Sequence, residues 1–345
     1  MSDVKNSLFL KNLRGEPCDR TPIWVMRQAG RYLPEYQEVR SKLSFTELCH
    51  TPEAACEVTL QPIRRFGFDA AIMFSDILTP LEPMGAPFDF SQGGPKLERP
   101  LRTEADIDSL SKYDAADGTH FVAEAIKLKK EGMGDKTHLI GFAGSPFTLA
   151  TYLIEAGGSK NYQDLNTMLY SRPELLDELM AKLTDQTLAY LKMQVEAGVD
   201  AIQLFDTWGG ILHPADYAAV VLPCVKRIMD GLKDKGVPRI YFLKGSAPYL
   251  DLVTTLDVEA LGMDWTMDMA KSLPLMEGYA VQGNLDPMAL FGSEDQIRSR
   301  ALDICRAGSQ APGHVFNLGH GITPPTPISA VETLVETVQG YRKGQ

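Results

Sequence analysis

Eight short apolar runs, each followed by a longer stretch with helical spacing, constrain this chain more than any other feature. They are Ile23–Met26, Ala70–Phe74, Leu139–Phe142, Ala201–Phe205, Ile240–Leu243, Leu261–Trp265, Tyr279–Gln282 and Val315–Leu318. Runs of this kind read as strands buried on both faces, as a parallel sheet requires. Eight β–α alternations in 345 residues are the arithmetic of an α/β fold closed into a (β/α)8 TIM-type barrel. The whole chain, 1–345, then reads as one domain with its active site at the carboxyl ends of the strands. A doubly wound open sheet is the alternative. Against it, no G-x-G-x-x-G follows the first run and no G-x-x-x-x-G-K-[ST] occurs anywhere.

The intervening stretches carry helix punctuation. Thr51-Pro52 and Asp286-Pro287 each pair an N-cap residue with proline at the first helical position. Ser171 with Glu174, and Ser293 with Gln296, have capping-box spacing. Leu175, Leu179, Leu183, Leu191 and Val195 recur along one helical face, and Gly198 stops that helix before the next run. A last helix after Thr326-Pro327 places Ile328, Val331, Leu334, Val335, Val338 and Tyr341 on one side.

Charge and cysteine usage narrow the class of protein. Lys+Arg 34 against Asp+Glu 45 gives a net charge of −11, which argues against a general nucleic-acid binder or a polybasic membrane-surface protein. No apolar run approaches the ~20 residues of a membrane-spanning helix. The first residues lack the continuous apolar core of a signal peptide. Five cysteines with no C-x-x-C suit reduced thiols better than a disulfide framework. A cytoplasmic protein is expected.

The residues that terminate the runs form the predicted rim. Arg27-Gln28-Ala29-Gly30-Arg31 follows the first run and Ser75-Asp76 the second; Asp206-Thr207, Lys244-Gly245-Ser246 and Gly319-His320-Gly321 follow later ones. Arg27 and Arg31, four apart, would repel unless an anion bridges them. As an isolated pair they suit a solvated surface; after a barrel strand, among small residues, two planar guanidiniums suit a carboxylate or phosphate. Asp76 suits a turn or cap as well as a catalytic carboxylate. His320, between two glycines at a strand end, is the best placed of six histidines; His138 and His314 sit at strand starts, the stability face of a barrel. Tyr152, at a helix start, reads as core. The Thr79–Pro100 stretch, with five prolines and three glycines, and Gly321–Pro327 read as binding loops or lids. No metal-ligand spacing or nucleophile elbow is present. The residues alone imply a barrel enzyme acting on an anionic small molecule without a metal.

Two longer motifs sharpen this. Pro22–Arg31, reading P-I-W-V-M-R-Q-A-G-R, closely resembles the first signature of the uroporphyrinogen decarboxylase family, and Gly141–Gly157 (GFAGSPFTLATYLIEAG) resembles the second. The likeness continues through Phe74–Leu78, Gln203–Thr207 and Asn317–Gly321, covering essentially the whole chain. It implies a single-domain barrel, a homodimer, and removal of CO2 from the four acetate arms of uroporphyrinogen III to give coproporphyrinogen III in porphyrin and haem biosynthesis. It also implies that no cofactor and no metal take part. By position, the implied substrate-binding residues are Arg27, Gln28, Ala29, Gly30, Arg31, Asp76, Tyr152, Thr207 and His320, with Asp76 and Arg27 catalytic. The general acid stays open between Arg27, His320 and a bound water. Methyl transfer to a corrinoid on a related barrel would need a His/Cys zinc site, and the strand end Tyr241–Ser246 holds neither residue. A non-catalytic tetrapyrrole carrier would have no need of Asp76. The substrate's eight carboxylates face a protein of charge −11, so cations beyond Arg27 and Arg31 are expected at the mouth, at positions the sequence does not reveal.

Overall fold

The computed structural model describes residues 7–91, 94–133 and 137–342. Seven of the eight apolar runs pair in chain order into one parallel sheet: β1 (Ala70–Ile72), β2 (His138–Gly144), β3 (Ala201–Asp206), β4 (Arg239–Leu243), β5 (Ala260–Gly262), β6 (Ala280–Leu285) and β7 (His314–Leu318). The first run does not form the regular strand expected at Ile23–Met26. It makes a single parallel bridge, Ile23 to Phe316. That segment still closes the ring. Phe316 N–H donates to Pro22 O at 2.8 Å, Trp24 N–H to Phe316 O at 3.3 Å, and Asp69 N–H to Ile23 O at 2.9 Å. Past Trp24 the ladder stops because side chains take its place: Gln28 Oε1 accepts from Val25 N–H and Asn317 Oδ1 from Met26 N–H.

Alternation along the strands sorts the apolar residues into two cores. One set, including Trp24, Ala70, Ile140, Ala201, Ile240, Phe242, Ala260, Ala280 and Val315, fills the barrel. The other, including Ala71, Leu139, Ile202, Leu204, Tyr241 and Leu261, packs outward against the helices. The inward alanines leave room that Phe9, Leu10 and Leu13 of the N-terminal helix Leu8–Leu13 occupy. Burying each of these side chains contributes about 1.5–3 kcal/mol. In the barrel's middle layer Trp24 Nε1 donates to Gln282 Oε1 at 3.0 Å and Gln282 Nε2 to Gln203 Oε1 at 2.9 Å.

The strand starts are joined by acidic side chains. Asp69 accepts from Ile23 N–H, Asp200 from Leu139 N–H and Glu259 from Arg239 N–H. In each case the residue just before one strand reaches the preceding chain in the ring, satisfying an amide that the ladder leaves over.

Most of the helix punctuation holds. The helix Pro52–Phe66 starts with proline after Thr51, Ser293 and Gln296 form both capping-box hydrogen bonds, and Gly198 ends Pro173–Ala197 in the left-handed region at φ 114°. Ser171 does not cap that helix. The preceding helix, Gln163–Ser171, runs through it, and Arg172 is the cap residue before Pro173. Nor is the 79–100 stretch an open loop. Thr79–Leu81 is a buried 3-10 turn, and Phe88–Asp89 pairs with Lys96–Leu97. Leu97 and Leu101 N–H groups donate to carbonyls of Ala156 and Leu153, which binds the stretch to the helix Pro146–Glu155 or its end. Gln92 and Gly93 lie outside the described residues. No described helix is long and apolar enough to cross a membrane.

Candidate active site

A cleft of about 320 Å³ opens at the carboxyl ends of the strands. Its floor is the top of the barrel core. Phe142, Phe205 and Phe242 reach it from β2, β3 and β4, with Phe205 ring centroids 5.7 Å from Phe142 and 6.0 Å from Phe242. Ile72, Met73 and Phe74 continue the apolar lining beside them.

Polar groups ring that floor. Arg27, Ala29, Gly30, Arg31, Asp76, Thr207 and His320 all line the cleft. Arg27 adopts φ 63°, a conformation that side-chain-bearing residues rarely hold and that clusters at functional sites. Its side chain lies against Gly321, where an added Cβ would meet Arg27 Cδ at 2.5 Å. Ile322 N–H donates to Met26 O at 2.9 Å, so the His320 loop and the Arg27 turn are joined. Among the described residues neither Arg27 nor Arg31 has a carboxylate within salt-bridge distance.

Asp76 is half-buried on the cleft wall. Leu78 N–H donates to its Oδ1 at 2.8 Å, and its own N–H donates to Thr79 Oγ1 at 3.3 Å. Burial raises its carboxyl pKa, while the Leu78 hydrogen bond and the Arg27 charge pull the other way. The His320 imidazole moves oppositely. Burial, then Arg27 and Lys244, lower it to about 4 against the opposing charge of Asp264. In the open cleft at neutral pH His320 is therefore uncharged, an acceptor or donor rather than a ready acid.

Two of the sequence-derived residues stand elsewhere. Gln28 is fully buried behind the cleft, donating through Nε2 to Ala70 O while Oε1 takes Val25 N–H. Its side chain braces the Arg27 turn. Tyr152 does not line the cleft but packs edge-on to Trp208 at 6.2 Å and Phe88 at 6.4 Å. Burial raises its phenol pKa, and the charges of Asp76 and Arg27 reach it.

Thr207 owes its position to its neighbour Asp206, a strand-end carboxylate that is buried rather than open on the rim. Asp206 accepts from Thr148 Oγ1 at 2.8 Å, Gly209 N–H at 2.9 Å and Tyr241 Oη at 2.9 Å, clamping the 207–209 turn. Asp264 does the same for the turn after β4, accepting from the Gly245 and Ser246 N–H groups while also holding Thr266 N–H in its own turn after β5. The phenylalanine floor was missed. Its signal is present, because each ring sits at an inward register near the end of its apolar run. Among the described residues no three His, Cys, Asp or Glu side chains converge on a common metal position. The arrangement suits an apolar, multiply anionic ligand: rings below, guanidiniums at one side, and one desolvated carboxylate able to hold N–H groups or a developing cation.

Comparison with known proteins agrees with that geometry. The family described as "Uroporphyrinogen decarboxylase (URO-D)" matches residues 4–341. A uroporphyrinogen decarboxylase of Myxococcus xanthus is 48% identical over 97% of both chains. One from Carboxydothermus hydrogenoformans is 46% identical over 96% of both. Among solved structures, a methyltransferase from Methanosarcina mazei superposes with TM-score 0.82 at 20% identity, covering 96% of this chain and 97% of that one. At that identity the structural likeness speaks for the barrel fold.

Proposed function

The chain belongs to the uroporphyrinogen decarboxylase family, carboxy-lyases of porphyrin and haem biosynthesis, and from that premise we propose how its own residues carry the decarboxylation of uroporphyrinogen. The observation that carries the proposal is the meeting of Asp76, Arg27, Arg31 and His320 on one phenylalanine-floored cleft.

The macrocycle rests on Phe142, Phe205 and Phe242, and its inward pyrrole N–H groups donate to Asp76. A carboxylate leaves as CO2 only if the bonding electron pair has a sink, and a neutral pyrrole is a poor one. Protonation of a pyrrole ring carbon gives a cationic, iminium-like ring. The C–CO2 bond then breaks with its electrons passing into that ring, a proton added at the methylene carbon yields a methyl group, and loss of the first proton from the ring carbon restores the pyrrole, so that one proton is consumed for each CO2 released. Asp76 stabilises the cation. Two opposite charges near 4 Å at an effective dielectric of 20 interact by ~4 kcal/mol, which at 1.36 kcal/mol per decade is about three orders of magnitude in rate. Its burial suits this role, since a desolvated carboxylate gains most from a neighbouring cation.

Arg27 and Arg31 hold acetate or propionate carboxylates, Thr207 adds a neutral donor, and Tyr152 acts from the rim beside Trp208. Gln28, Ala29 and Gly30 serve by shaping the turn that presents the two arginines. The low pKa of His320 supports a hydrogen-bonding role, and bound carboxylates would raise it; the proton donor is one of Arg27, His320 and a bound water. Four successive acetate losses from uroporphyrinogen III give coproporphyrinogen III, with no cofactor and no metal. The protein works as a cytoplasmic homodimer, each chain one domain; exposed Tyr170 and Ile211 are apolar surface that a second copy would cover, and sedimentation equilibrium tests it.

The test of the activity is anaerobic incubation with uroporphyrinogen III in the dark, with chelator and no added cofactor. Stepwise chromatographic conversion from eight carboxylates to four is expected. Binding without loss of carboxylates would point to a carrier, and bound zinc with no decarboxylation would revive methyl transfer.

A further inference from the structure

Lys244 is the first residue beyond β4, and its ammonium lies 5.3 Å from the Trp208 ring centroid and 5.9 Å from that of Trp265. Among the described residues no carboxylate reaches it within salt-bridge distance. It is half-buried, so the missing counter-ion is not simply replaced by bulk water. Lys244 and the two indoles stand just beyond the residues that line the cleft. Trp265 is 6.1 Å from the His320 ring, and Trp208 is 6.2 Å from Tyr152. Lys244 is close enough to His320 to lower its pKa. Two backbone features fix it there. Its N–H donates to Asp206 O at 3.0 Å, and buried Asp264 accepts from the next two N–H groups.

The ring topology gives this lysine its meaning. Counting the Ile23 segment as the first of eight positions, β4 is the fifth, four places from the Arg27 turn in either direction. Lys244 therefore stands across the rim from Arg27 and Arg31. A macrocycle bearing carboxylates around its whole perimeter, entering a protein of charge −11, needs cations on both sides of the mouth. Two arginines on one side would leave the far carboxylates unpaired beside apolar rings.

We propose that Lys244 is a substrate-binding residue, the anchor for a carboxylate of the pyrrole ring opposite the one held at Arg27 and Asp76. The proposal rests on the reading of the substrate given above. The indole faces keep the ammonium extended and partly desolvated, which strengthens its hydrogen bond to an incoming carboxylate.

The test is tryptophan-fluorescence quenching by uroporphyrin, the stable octacarboxylate, alongside decarboxylation kinetics, for the wild type, Lys244→Gln and Lys244→Arg. Lys244→Gln should weaken uroporphyrin binding and raise KM at least ~10-fold, as loss of one charge-assisted hydrogen bond does. It should leave kcat within about threefold and flatten the salt dependence of kcat/KM, and Lys244→Arg should recover most of the affinity. Should the Gln variant not fold, Lys244→Met, which keeps the aliphatic stem between the indoles, carries the same expectation. Affinity and KM unchanged within twofold would overturn the proposal, as would a loss that arginine does not rescue. Wild-type binding that weakens in the variant, with no decarboxylation by either, would uphold Lys244 and discard the decarboxylase reading. Decarboxylation with an indifferent Lys244 would do the reverse.

Discussion

The two ends of the barrel handle charge in opposite ways. At the strand starts, ionic groups are paired and hydrogen-bonded. Arg20 makes two hydrogen bonds to Asp69, at 2.9 and 2.6 Å. Arg239, 3% exposed at its side chain, meets Glu259 at 2.9 Å and Asp257 at 3.3 Å, and donates to Met229 O. At the strand ends, Arg27, Arg31 and Lys244 have no carboxylate partner among the described residues, burial raises the carboxyl pKa of Asp76, and His320 is held neutral. The same fold thus keeps one rim satisfied and leaves the other waiting for a ligand. Arg27 and Arg31 are exposed and Lys244 and Asp76 half-buried, so the upper rim keeps its charges within reach of water until a ligand takes its place.

That contrast can be broken from either end. The largest effect should come from Asp76→Asn, which keeps an acceptor for Leu78 N–H. Turnover of uroporphyrinogen should fall about 1,000-fold, while the denaturation midpoint at pH 7 stays level or rises. The sign follows from the raised carboxyl pKa: its stabilising contribution belongs to low pH and is lost as pH rises through the folded pKa. A fall in stability without a fall in rate would invert the contrast. Next, Arg27→Lys should lower kcat/KM by roughly 10- to 100-fold, the loss of a forked charge-assisted hydrogen bond. Full turnover by that variant would remove any special role for the guanidinium.

From the other end, Glu259→Gln should destabilise the protein by about 2 kcal/mol, because it leaves the buried Arg239 with only Asp257. Its kcat and KM should match the wild type, and chemical denaturation beside steady-state kinetics checks both. The smallest effect concerns His320. Its folded pKa, about 4, lies below the ordinary imidazole value of 6.5, so its contribution is present above pH 6.5 and is lost as pH falls toward 4. Between pH 7 and pH 5 the loss is on the order of 1 kcal/mol. A His320→Gln variant should show a correspondingly shallower decline in denaturation midpoint, and an unchanged slope would show that the imidazole is not buried as described.

Repetition made the fold legible. Seven of eight apolar runs are strands because length, flanking punctuation and continuous burial all favour the same state. The first run differs in kind. Ile23–Met26 is as apolar as the others, but its ladder is replaced by the side chains of Gln28 and Asn317, and the latter lies far along the chain. Ser171 misled for a related reason: a capping-box spacing is only a local pattern, and the preceding helix, packed through Leu165, Met168 and Leu169, extends over it. The proline-rich 79–100 stretch is held by hydrogen bonds to Leu153 and Ala156, which no local pattern announces.

The chemistry available at each strand end is legible in the chain: Arg27, Asp76, Thr207, Lys244 and His320 all follow apolar runs, and a parallel barrel brings every such position to one rim. Which of them face the cleft, and in what state, follows from packing between distant segments. Closure of the ring set Lys244 across from Arg27, turned Gln28 into a brace, moved Tyr152 to the edge beside Trp208, and joined three phenylalanines into a floor. Residue type fixes whether a group can carry charge. Burial and the neighbours brought by distant strands fix whether it does, and so the raised Asp76 and the lowered His320 belong to the assembled barrel rather than to any segment of the chain.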